Sequence, residues 1–101
     1  MSLKITLEGE NGNEIESFDD NDLLQTIIPD YNDLSSYCLR FIDLYGDTTF
    51  NNLQAPVFIK ELEKKLTDSL PIESKELIEN IIRLANRCNN EVHLYLKFYG
   101  D

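Results

Sequence analysis

From residue 92 to residue 99 the chain alternates strictly: Val92, Leu94, Leu96 and Phe98 are apolar, and His93, Tyr95, Lys97 and Tyr99 separate them. That is the period of a β-strand, here over residues 91–98. A strand this apolar belongs inside a sheet, so earlier parts of the chain must supply neighbours on both of its sides. Leu3, Ile5 and Leu7 alternate with Lys4, Thr6 and Glu8 in the same way. Residues 9–13 then break the pattern, and Asn11-Gly12 signals a hairpin because both residues tolerate positive φ. The returning strand, 14–18, has few apolar positions and reads as an edge. Residues 36–44 predict a further strand. Tyr37, Leu39, Phe41 and Asp43 fall on one face and Cys38, Arg40, Ile42 and Leu44 on the other. Both faces are largely apolar, which points to a central position.

Helical spacing occupies the rest. A short helix over 22–28 is predicted, capped by Asp20 or Asn21 and stopped by Pro29. Residues 30–33 follow as a turn, with Leu34 tucked inward. Pro56 suits a first helical turn, and Phe58, Ile59, Leu62 and Leu66 form the buried stripe of a helix ending at 66. A longer helix is predicted from a Ser74 N-cap to Asn89, with Leu77, Ile78, Ile81, Leu84, Ala85 and Cys88 facing inward. Glu61–Lys65, Lys75–Glu79 and Glu79–Arg83 have the spacing of i,i+4 ion pairs. The resulting order, β-β-(α)-β-α-α-β, predicts an α+β two-layer sandwich: about four mostly antiparallel strands with the two longer helices on one face. At 101 residues the chain is expected to form a single domain over 1–101. Tyr45-Gly46-Asp47 and Tyr99-Gly100-Asp101 repeat one another. The repeat is either a shared strand stop or the mark of neighbouring strands.

Charge separates the chain into halves. Residues 1–50 hold eleven Asp and Glu against Lys4 and Arg40, and residues 51–101 hold eight acids against seven bases. Nine acids lie between Glu8 and Asp33 with no Lys or Arg among them, and they are expected to form one negative field. A net charge of −10 repels nucleic acid, and the bases interleave with Glu on helix faces without making a patch. No apolar run approaches the length of a membrane span, and the N-terminus turns acidic too early for a secretory leader, so a cytoplasmic location is expected. Cys38 and Cys88 each sit in an apolar pattern and read as small buried hydrophobes, reduced in that compartment.

Chemistry-bearing motifs are sparse. Neither glycine-rich phosphate loop is present, and no cofactor is implied. Residues 19–22 crowd three aspartates but lack the sixth-position Gly and twelfth-position Glu of a calcium loop, so no metal site is predicted. His93 is the sole histidine. The nearest candidate nucleophiles, Ser35, Ser36, Cys38, Thr48 and Thr49, lack a nucleophile-elbow context. An enzyme built on His93 with Asp43 or Asp47 is the least favoured of three classes of function. What stands out is surface recognition. Glu14, Glu16, Asp19, Asp20, Asp22, Asp30, Asp33 and Asp47 surround Tyr31 and Tyr45, and aromatic anchors ringed by carboxylates suit a basic protein partner. A second candidate is the polar loop 45–54, with Thr48, Thr49, Asn51, Asn52 and Gln54, together with His93.

In size, acidity and layout the whole chain resembles bacterial immunity proteins and other small protein inhibitors, though no diagnostic motif carries that likeness. The resemblance implies a non-enzymatic module that covers the active site of a basic protein such as a nuclease toxin. The alternative is a small structural or accessory subunit, monomeric or a homodimer through sheet edges or the helix layer.

Overall fold

A computed structural model describes residues 2–100. Its sheet joins β1 (Lys4–Gly9), β2 (Glu14–Asp19), β3 (Asp47–Phe50) and β4 (Leu94–Tyr99) in the order β2-β1-β4-β3, with every neighbouring pair antiparallel. Helices α1 (Ala55–Leu66) and α2 (Ile72–Asn90) connect β3 to β4 and cover one face. The α+β architecture expected from the residue pattern is therefore the one observed, with β2 at an edge and β4 inside.

The register explains the core. Ile5 lies opposite Phe18 and Phe98, and Leu7 opposite Leu96, so β1 and β4 turn one apolar row toward the helices. Phe50, Phe58 and Phe98 meet there with ring centroids 4.7–5.9 Å apart. Leu77, Ile78, Ile81, Leu84, Ala85 and Cys88 are buried along α2, and Phe58 and Leu62 along α1, with Ile59 and Leu66 half-buried beside them. In the β1–β2 turn only Gly12 uses positive φ, at 79°. Gly100 has another reason to be glycine: a Cβ there would fall 2.5 Å from the Leu44 carbonyl oxygen. Its N–H donates to the Gly46 oxygen at 2.8 Å. The two Tyr-Gly repeats are therefore neighbours, but in antiparallel strands, one leading into β3 and the other leaving β4.

Five local expectations differ from the structure. Residues 36–44 form no strand; they hold a single 3-10 turn, Leu39–Phe41, in an otherwise irregular path. The buried apolar residues are Cys38, Leu39 and Ile42, a spacing of one and three that matches a helical turn packed on a core, with Ser36 buried beside them. The third strand is β3, inside the polar stretch taken for a loop, and β4 pairs with it and with β1. The helix over 22–28 shrinks to one 3-10 turn, Leu24–Thr26. Helix α2 starts at Ile72 behind Pro71, and Ser74 lies buried inside it. Leu34 is 76% exposed rather than tucked in.

The helix-free face of the sheet carries a polar brace. Buried Glu8 accepts hydrogen bonds from Thr6 at 2.6 Å and from the Tyr99 hydroxyl at 2.5 Å, and it faces the Lys97 ammonium at 3.3 Å. Burial alone raises the Glu8 pKa, but bonds from Thr6, Tyr99 and Lys97 outweigh it and hold the carboxyl below its usual 4.5. The same bond to Glu8, then burial and the nearby carboxylates of Glu8 and Asp47, push Tyr99 up to about 12. Both shifts link stability to pH. The depressed Glu8 contributes stability above its unfolded value, lost as pH falls through its folded one. The raised Tyr99 contributes stability below pH 10, lost between there and about 12. Urea midpoints measured across pH are expected to fall at both ends. In Tyr99→Phe the alkaline fall becomes shallower; an unchanged alkaline limb would rule out this brace as its source.

Candidate recognition surface

Residues 29–46 cross from the first 3-10 turn to β3 with little regular structure, yet they are fixed at many points. Three aspartates close successive turns with their own side chains. Asp30 accepts from the Asn32 N–H at 2.9 Å, Asp33 from the Ser35 N–H at 3.0 Å and Asp43 from the Tyr45 N–H at 2.9 Å. The Ser35 hydroxyl and N–H together hold Asp33 below the usual aspartate pKa.

The strongest fastening comes from α1. The Glu61 carboxylate accepts from the Ser36 hydroxyl at 2.6 Å and from the N–H groups of Tyr37, Cys38 and Leu39 at 2.9, 2.8 and 3.3 Å. A run of backbone donors around one anion is a nest, here filled by the protein's own side chain. Ser36 in turn accepts from the Arg40 N–H at 3.0 Å. Glu61 therefore does not serve an i,i+4 pair; Lys65 approaches Asp68 instead, at 4.0 Å. Burial and the Glu61 carboxylate push the Cys38 thiol up to about 11, and burial raises Cys88; both sulfurs are free and interior.

Held this way, the segment pushes aromatic rings outward. Tyr31, Tyr37, Phe41 and Tyr45 are 67%, 68%, 43% and 73% exposed. Tyr31 and Phe41 meet edge-to-face at 5.8 Å. The Arg40 guanidinium lies 4.5 Å from the Phe41 centroid and 6.0 Å from that of Tyr31, and donates to the Tyr31 carbonyl at 3.0 Å. Its Nε is buried without a hydrogen-bond partner. An open groove lies between Tyr31 and Tyr45, floored by Ile28, Pro29, Ile42 and Leu44.

The acids expected to form one field are divided. Glu14 pairs with Lys4 at 2.6 Å, and Glu16 pairs with Arg83 and, at 3.8 Å, with Arg87 from α2. With Lys97 on Glu8, bases from the second half of the chain fold onto the hairpin and offset part of its charge. Asp20 is fully buried and accepts from Leu3, Asp22 and Leu24 N–H groups, so it belongs to the framework and not to a contact surface. Asp19 closes a turn onto the Asn21 N–H, and the exposed Asp22 receives the Ser2 hydroxyl. What remains near exposed aromatic rings is Asp30, Asp33, Asp43 and Asp47, with Arg40 the one base in that stretch.

The polar loop candidates also separate. Thr48 and Thr49 lie in β3, where the Thr48 hydroxyl accepts from the Asp43 N–H. Asn51 and Gln54 tie the start of α1 through reciprocal side-chain bonds, and Asn52 is exposed beside them. His93 is not in a strand. It sits before β4 at φ 66°, exposed, 3.2 Å from Glu10. Asp47 pairs with Tyr99 at the opposite end of β4, roughly 20 Å away at the usual strand rise. His93 and Asp47 therefore do not meet. Among the described residues no group of three His, Cys, Asp or Glu side chains is placed to hold a metal, and no helix is long and apolar enough to cross a membrane.

Sequence reasoning missed Glu61, Arg40, Tyr37 and Phe41. Glu61 gave no signal, because its partners are three backbone N–H groups and the Ser36 hydroxyl, 22–25 residues away. The aromatic residues were visible but were assigned to strand faces. The chain matches no protein-family model, no curated protein and no solved structure.

Proposed function

We propose that the protein is a non-enzymatic binding module that engages a basic protein partner through residues 29–47, with Tyr31 and Tyr45 as its anchors. One observation carries this reading: four aromatic rings stand exposed on a segment that Glu61 fastens to the helix layer. Exposed rings cost solvation, and a segment so fixed loses little freedom when a partner covers them. Aromatic side chains supply the largest contact energies in interfaces, and Asp30, Asp43 and Asp47 against one internally stacked arginine favour positive charge on the other side, Asp33 already lying near Lys64 and Lys65. Glu8, Glu14 and Glu16 of the β1–β2 hairpin, already paired with bases, have no part in this surface.

A photo-crosslinking residue placed at Tyr45 is expected to capture a basic protein from a cell lysate of the source organism, with the yield falling as salt rises. The same residue at Glu79, exposed on the far side of α2, is expected to capture nothing. Equal capture from both positions, or capture indifferent to salt, would count against the proposal.

A further inference from the structure

We propose that the partner binds by adding a strand to the outer edge of β3, an inference that rests on reading residues 29–47 as the recognition surface. Gly100 and Gly46 form a hydrogen-bonded pair. Counting by twos along the antiparallel register makes Thr48–Phe98 and Phe50–Leu96 the hydrogen-bonded pairs of the ladder. Asp47 and Thr49 therefore turn their N–H and C=O groups away from β4. Among the described residues no strand pairs with that side. Tyr45 and Leu53, 73% and 79% exposed, stand just before and just after the edge, continuing the aromatic surface past it.

The other edge of the sheet is guarded. β2 carries Glu14 and Glu16, already taken by Lys4, Arg83 and Arg87, and its pairing with β1 shifts register between Leu7 and Glu8. Charges and a bulge are the usual means of closing an edge to further strands. β3 has neither a bulge nor a base: Thr48, Thr49 and Phe50 are strand formers, and Asp47 is its one charge.

Register also sets the chemistry of the added strand. Asp47 and Thr49 lie on the helix-free face, Thr48 and Phe50 on the helix-covered one. Directly opposed residues share a face, so the partner segment alternates. Lys or Arg lies opposite Asp47 and Thr49, and apolar residues lie opposite Thr48 and Phe50. The structure thus specifies an extended, alternating basic–apolar segment of a protein, engaged mainly through its main chain.

The test is a titration of isotope-labelled protein with an end-blocked hexapeptide of alternating lysine and valine, followed by amide chemical shifts. The largest shifts are expected at Asp47 and Thr49, and a glutamate–valine peptide is expected to leave them unmoved. Thr49→Pro removes one outward donor and spares the ladder, a substitution an edge strand tolerates. With its spectrum otherwise native, it is expected to weaken the lysine peptide about tenfold. Largest shifts on β2 or on the helices, no shifts at all, or undiminished binding by Thr49→Pro would overturn strand addition. Any of these, with crosslinking at Tyr45 intact, would leave the surface itself standing.

Discussion

Glu61→Ala is expected to destabilise the protein by about 3 kcal/mol and to strip hydrogen-exchange protection from the Tyr37, Cys38 and Leu39 amides. Each hydrogen bond to a charged group contributes roughly 1.5–3 kcal/mol, and four bonds on one carboxylate do not add. Partial exposure also lets water replace some of them. The estimate therefore stays near that of a single strong bond plus the cost of leaving backbone donors unmatched. Glu61→Gln keeps the shape and one acceptor oxygen, and roughly half the loss is expected. Urea unfolding followed by tyrosine fluorescence reads the stability, and exchange of those three amides localises it. A loss spread evenly over all amides would mean that Glu61 supports the whole fold rather than this segment. The functional consequence is specific: with the fastening gone, the aromatic rings lose their fixed arrangement, and capture through Tyr45 is expected to fall even where the sheet remains intact.

Asp20→Ala is expected to cost a similar amount, about 3 kcal/mol, for a different reason. Its buried carboxylate joins β1 to the start of the first 3-10 turn: one oxygen accepts from Leu3 at 2.8 Å and Asp22 at 3.1 Å, the other from Leu24 at 3.1 Å. Between those contacts Asn21 and Asp22 hold φ of 54° and 63°. Left-handed backbone is tolerable for Asn and Asp, but two in succession persist only where surrounding bonds impose them. Asp20→Asn keeps the oxygen that serves Leu3 and Asp22 and presents an amide donor to the Leu24 N–H. An intermediate loss is expected, with the Leu24 amide the first to lose protection. Equal stability of the Ala variant and the unaltered chain would show that the neighbouring turn holds itself.

Where apolar residues kept one period over a long stretch, the fold was legible. The stripes of α1 and α2 and the alternation of β1 and β4 could be assigned from spacing alone, because each buries one face against a common core. The 36–44 stretch misled because its apolar residues lie on both faces, a pattern that a central strand and a helical turn share. Three buried apolar side chains and a set of backbone N–H bonds to Glu61 decide between them, and those bonds are invisible in spacing. β3 escaped notice because four residues, Asp-Thr-Thr-Phe, carry too little alternation to register. Charge was legible as a count and not as a map: Arg83, Arg87 and Lys97 reach the hairpin only once the sheet and α2 have packed. Tyr31 and Tyr45, named as anchors from the sequence, are exposed, whereas Asp20, which carries the same charge as its neighbours, is interior.

The placement of β4 bears on how this protein is made. β4 alone links the β1–β2 hairpin to β3, and every other described strand leaves the ribosome before it. Until it emerges, the nascent chain holds a lone hairpin, an unpaired four-residue strand and two helices with uncovered stripes. The four-stranded sheet can therefore close only when β4, the last of the described strands in chain order, pairs with both β1 and β3, and until then the apolar faces of the hairpin and of the helices lack their common partner.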